Sequence, residues 1–185
     1  CVLILLAATG GIAQQRAPAV LADMVTNRSH ANGEPHAVGD LACLAMKTGD
    51  VPFLVWDPAA RLPIANDRGA AAAWLRAHGR DLGHGVFTPV FAREFDWNGH
   101  PIAVFTLEHA GVPLHDAEVW VCFDEQGCLG LVNRVPAGLA TPPVRPADAV
   151  DPAYCVRRAT DPAVPDRLVI AERRRSTTPD HEVLE

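Results

Sequence analysis

The stretch from 86 to 134 constrains this chain more than any other, because its apolar alternation is cut by tight-turn signals. Residues 87–97 read as a strand, Asn98-Gly99 as a type I′ hairpin turn, and 102–108 as the return strand. Residues 118–123 and 128–132 form a second hairpin across Asp124-Glu125-Gln126-Gly127. In it Val119, Val121 and Phe123 share one face, and Glu118, Trp120 and Cys122 share the other, since side chains alternate along a strand. Residues 110–114, with their central Gly-Val-Pro, read as a break or bulge between the hairpins. Four strands in meander order predict an antiparallel sheet.

Upstream, short apolar runs at 41–46 and 53–56 are separated by Thr48-Gly49-Asp50 and read as two short strands. Asp57-Pro58 and Leu62-Pro63 mark a loop. Residues 69–80 are the clearest helix: four consecutive alanines favour it, Trp74, Leu75 and His78 form its inward stripe, and Gly79 and Gly83 stop it. Downstream, 136–152 is a proline-rich extended connector, 153–159 reads as one or two helical turns, and 168–171 as an isolated strand ahead of Arg173-Arg174-Arg175 and a polar tail. The fold class expected from these parts is α+β: an antiparallel sheet of about four to six strands with one main helix packed on one face.

The first thirteen residues, CVLILLAATGGIA, carry no charge and resemble the apolar region of a secretory leader, with small residues before Gln14. That predicts an exported protein. The chain then divides into 1–13, an irregular 14–35, a domain over 36–160, and a C-terminal strand and polar tail over 161–185 whose strand awaits a partner in a second module. No run of eighteen apolar residues predicts a transmembrane helix. A net charge of −6 removes the electrostatic basis for nucleic-acid binding. Asn27-Arg28-Ser29 matches a glycosylation sequon, which matters only in a eukaryotic secretory pathway.

Of five cysteines, Cys43, Cys122, Cys128 and Cys155 remain once Cys1 is set aside with the leader, and four allow three pairings. In a simple hairpin Phe123 faces Cys128 and Cys122 faces Leu129, which puts the sulfurs of Cys122 and Cys128 on opposite faces. The reading is of buried thiols acting as small hydrophobes.

Catalytic patterns are sought without success. A zinc peptidase needs His-Glu-x-x-His on a helix, but His181-Glu182 is followed by Val183-Leu184-Glu185. His109 and His115, with Glu108 or Asp116, form a conceivable ligand set, and so do His78 and His84; polar loop and strand-edge histidines without metal are the plainer reading. Ser29 and Ser176 have no nucleophile-elbow context. Glu94 and Asp96 share a strand face and read as solvated. The expectation is a non-enzyme without metal or cofactor. The residues singled out for partner binding are Glu108, Gly111, Val112, Pro113 and Leu114, where a short bulged edge could template another chain through backbone hydrogen bonds.

The order of parts from about 50 to 160 resembles the fungalysin/thermolysin propeptide (FTP) domain, a PepSY-like family. Trp56-Asp57-Pro58 with Pro63 is similar to its opening strand and proline turn. Ala71-Ala72-Ala73-Trp74-Leu75-Arg76-Ala77-His78, ending at Asp81-Leu82-Gly83, is similar to its central helix. Glu108 with Gly111-Val112-Pro113-Leu114, then Asp124, Gly127, Val132 and Asn133, follows the family's order of Gly-Val-Pro, hairpin and Val-Asn. Departures are Glu108 for the usual Gln, Leu114 for a β-branched residue, and a first proline turn without its glycine. The resemblance implies a non-catalytic module that assists folding of a secreted thermolysin-like zinc metallopeptidase and holds it inactive. The alternative is a standalone exported binding module with no peptidase attached.

Overall fold

The computed structural model describes residues 17–24, 36–38, 41–48, 51–136, 139, 141–157, 167–175 and 182–184. In chain order its elements are α1 (Ala19–Asp23), β1 (His36–Val38), β2 (Leu41–Thr48), β3 (Val51–Trp56), α2 (Arg68–Ala77), β4 (Thr88–Trp97), β5 (His100–His109), β6 (Val112–Asp124), β7 (Gly127–Arg134), β8 (Pro152–Arg157), β9 (Arg167–Arg175) and β10 (Glu182–Leu184). The expected leader at 1–13 and the sequon at Asn27 lie outside the described residues.

Two tight turns build the centre. Asn98 and Gly99 both take positive φ, 52° and 82°, and close β4 onto β5; Ala110 and Gly111, at 50° and 74°, close β5 onto β6. Paired left-handed residues match the twist of the flanking strands, which is why these hairpins close in two residues. β6 then turns into β7, and β7 lies against β3, giving seven antiparallel strands in the order β1-β2-β3-β7-β6-β5-β4. A parallel bridge from Leu114 of β6 to Tyr154 of β8 joins on β8, β9 and β10, which makes the whole sheet mixed.

The expected α+β architecture is overturned: ten of the twelve elements are strands and both helices are short, so the molecule is mostly β. The reason is that the sheet is apolar on both faces. Every residue of β3 is buried, as are 102–105 of β5 and 128–133 of β7. One face carries Val55, Phe105, Val119, Val121 and Leu131, the other Leu54, Ile102, Val104, Cys122 and Val132. A single ten-residue helix cannot cover both. Helix α2 shields part of the first face through Ala71, Trp74 and Leu75, and Tyr154 of β8 with Leu168 and Ile170 of β9 packs into the same core. Leu21 of α1 is buried in the second.

Local expectations fare unevenly. The helix runs Arg68–Ala77, started by Asp67, whose side chain accepts from the Gly69 and Ala70 amides. His78 caps its end and packs against Trp74, with ring centroids 4.4 Å apart and planes tilted by 48°. The break expected at 110–114 is confined to Ala110 and Gly111, and β6 runs unbroken from Val112. Of the helical turns expected at 153–159, residues 153–157 belong to strand β8 instead and the rest lie outside the described residues. Strand β8 is the partner of the supposedly isolated β9, in register from Pro152–Glu172 to Arg157–Arg167. A tertiary ladder outweighs local propensity here. In the β6–β7 hairpin Phe123 faces Cys128 as expected, but a bulge sets Cys122 opposite Gly130 rather than Leu129. Cys122 and Cys128 still pack into different faces.

Candidate functional site

Strand β6 has two neighbours in tandem along one side. Its second half pairs with β7, ending at Glu118 opposite Arg134, and its first half meets β8 at the Leu114–Tyr154 bridge. Between them Asp116 takes a positive φ of 56° and the strand changes neighbour. The gap is a cleft of about 300 Å³, lined among others by Thr106, Pro113, Leu114, His115, Glu118 and Arg134.

Of the residues singled out from sequence, Pro113 and Leu114 line this cleft. Gly111 is exposed in the two-residue turn. Val112 is fully buried and Leu114 nearly so, so both serve the core. Glu108 lies opposite Pro113 across the β5–β6 ladder, and the register shifts between Thr106 and Glu108, so a bulge is present. The segment is no sheet edge, however: β5 flanks it on one side and β8 on the other. The long edge is β4, which pairs only with β5 among the described strands.

At the cleft, Glu118 gathers charge. It accepts from Arg93 Nη1 at 2.7 Å, from Trp120 Nε1 at 2.7 Å and from Arg134 Nη1 at 3.5 Å. The Arg134 guanidinium also sits 4.9 Å over the Trp120 ring, and Phe95 meets Trp120 edge-on at 5.5 Å. Burial alone would raise the Glu118 carboxyl, but the Arg93 and Trp120 hydrogen bonds and the two arginine charges hold it below its ordinary value. The result is an ionised carboxylate with its acceptor sites occupied, which suits a fixed strut better than a proton donor.

A second polar junction lies inside the core. Asn133 Nδ2 donates to Pro52 O at 2.7 Å and to Leu82 O at 2.8 Å, and its Oδ1 lies 3.1 Å from His84 Nε2. One side chain on β7 thereby ties down β3 and the loop between α2 and β4.

Comparisons with protein-family models, curated proteins and solved structures find no match. Among the described residues no three His, Cys, Asp or Glu side chains come together to hold a metal. His109 Nδ1 lies 3.3 Å from Val86 O and donates to it, and His115 Nε2 is 3.5 Å from Asp116 Oδ2. Glu94 and Asp96 are both exposed on β4, and Asp96 accepts from the Gly99 amide to close the turn. Burial pushes the Cys122 and Cys128 thiols up to about 12, which keeps them protonated and poorly nucleophilic. No helix among the described residues is long and apolar enough to cross a membrane.

Sequence reasoning missed both polar junctions. Glu118 and Arg93 sit on strands separated by β5, so their meeting depends on two registers at once. Asn133 carried a signal of a kind, being the sole amide in an otherwise apolar strand of residues 128–133.

Proposed function

We propose that this chain is a non-catalytic, propeptide-like module of an exported protein, whose partner is a thermolysin-like zinc metallopeptidase. It assists the folding of that enzyme and occupies its cleft until removed. The observation that supports this reading is a convergence. Among the segments that resemble the propeptide family are Trp56-Asp57-Pro58 closing β3, Asp81-Leu82-Gly83 in the loop after α2, and Val132-Asn133 in β7. The Asn133 side chain bonds Leu82 O directly and, through Pro52 O, the strand that Trp56 closes. A module that binds only the folded enzyme stabilises it by mass action, and inhibits it by the same contact.

The test is direct. The purified chain is titrated into the thermolysin-like peptidase encoded nearest to it, with peptide hydrolysis as the readout. Saturable slowing is expected; unchanged rates at large molar excess reject the reading.

The edge that β4 presents among the described strands favours a second reading, a standalone exported binding module that recruits an extended segment of some other protein. Immunoblots of the native product in the secreted fraction separate the two. A larger precursor chased into a smaller band supports the propeptide, and a single band of constant size supports the standalone module.

A further inference from the structure

We propose that His84 and Asn133 form an acid-sensitive latch, which holds the loop between α2 and β4 against the sheet near neutral pH and lets it go on acidification. The protonation states follow from the bonding. Both Asn133 Nδ2 hydrogens are spent on Pro52 O and Leu82 O, so Asn133 Oδ1 must accept and His84 Nε2 must donate. The bare nitrogen of the neutral ring is then Nδ1. It is buried and has no hydrogen-bond partner among the described residues. His84 itself is fully buried. A proton arriving at Nδ1 would create a cation with no acceptor there, in a site closed to water.

Among the described residues no acidic side chain bonds the ring; His109 of β5 reaches the same loop, its Nδ1 donating to Val86 O, and Tyr154 of β8 meets Phe87 edge-on. The loop that follows α2 brings Arg80 and Asp81, both exposed, and His78, whose Nδ1 is 4.0 Å from Asp81 Oδ2. From β7 comes Arg134, bonded to Glu118 on the opposite face from Asn133. Residues 51–56 of β3 carry no ionisable group, and neither do residues 85–92 between His84 and Arg93. Burial holds the ring down to about 4, opposed only by the Asn133 bond. An unfolded or opened His84 returns to its ordinary value of 6.5.

The sign is then fixed. The opened state binds the proton more readily, so the closed state is fully favoured above pH 6.5 and loses ground as the pH falls toward 4. The loss approaches tenfold per pH unit inside that window, comes to roughly 80-fold in the closing equilibrium between pH 6.5 and 4, and levels off at about 300-fold in stronger acid. What opens is the backbone His84 organises: its amide donates to Gly79 O at 2.7 Å, and Phe87 N donates to His84 O at 3.1 Å. The latch belongs to the chain itself and stands or falls apart from any docking on a peptidase.

Two measurements on the full chain test it. In the first, the His84 ring is titrated by NMR without any substitution. A midpoint well below the other histidines supports the latch; a midpoint of 6 or above overturns it. In the second, amide exchange is compared between the native chain and His84→Gln, whose side-chain amide can still donate to Asn133 Oδ1. Protection at His84 and Phe87 should fall between pH 6.5 and 4 in the native chain, ahead of the β5–β6 ladder, and stay flat in the variant. An equal pH dependence in both chains overturns the proposal. Should the variant fail to fold, the ring titration decides alone.

Discussion

Leu21 of α1 occupies the space that a side chain on Gly130 of β7 would need. A methyl group built there meets Leu21 Cδ1 at once and lies 2.5 Å from the carbonyl oxygen of Val55. The bare backbone of Gly130 is what lets α1 sit flat on the second face of the sheet. Gly130→Ala should therefore cost about 1–3 kcal/mol by overpacking, with α1 displaced and newly open to limited proteolysis. Leu21→Ala in the same chain should recover only part of that loss, because Val55 O still obstructs. Strict additivity of the two substitutions in urea unfolding would contradict the contact.

Asn133→Leu keeps the volume but removes every hydrogen bond of the junction. The Pro52 and Leu82 carbonyls and His84 Nε2 then lose their partner in the core, and the expected loss is about 3 kcal/mol. Chemical unfolding measures it. A change within 0.5 kcal/mol of the native chain would show that roughly water-like solvation reaches this junction.

Glu118→Gln retains the shape of the cleft but removes the charge and one acceptor, since its single oxygen serves either Arg93 or Trp120 and not both. The native carboxyl is held below its ordinary value, so its contribution is present above the carboxylate range and lost on acidification through it. The variant should be less stable by about 1 kcal/mol near neutrality in low salt, a modest figure because the group is partly solvated. The difference should shrink in high salt and vanish in acid. Paired urea titrations at two pH values and two salt concentrations check it.

The two core thiols should be silent in the folded chain. With Cys1, Cys43 and Cys155 replaced by serine, a thiol reagent should label Cys122 and Cys128 slowly in buffer and fully in denaturant. Rapid labelling of the native chain would contradict their burial.

Much of the central sheet is legible in the sequence because its turns are local. Asn98-Gly99 and Asp124-Glu125-Gln126-Gly127 specify their hairpins within a few residues, and the alanine run 70–73 marks α2 by its own propensity. The face assignment of Val119, Val121 and Phe123 follows from the pleat alone. What the sequence conceals is non-local. Nothing in Pro152-Ala153-Tyr154-Cys155 says that β9 lies beside it, so propensity reads a helical turn. Nor does the apolar content of β3 say that both its faces need cover, and without that the second face and α1 drop out of the picture. The cleft is hidden for the same reason: it exists only because β6 exchanges β7 for β8, and those strands are separated by the connector 135–151.

That exchange has a consequence for the order in which a nascent chain can assemble. When β7 leaves the ribosome, every strand of the seven-stranded sheet has been synthesised, and β6 is already held along its second half. Only its first half is still open on that side, waiting for a segment forty residues further on, Tyr154 for Leu114. The hairpin of β8 and β9 therefore arrives at a finished template and docks by a long-range closure, the slow kind of contact. During translation the pause between those events leaves the flank of β6 at Leu114 without its cover, and a chaperone that reads extended apolar backbone would find the chain at that stage.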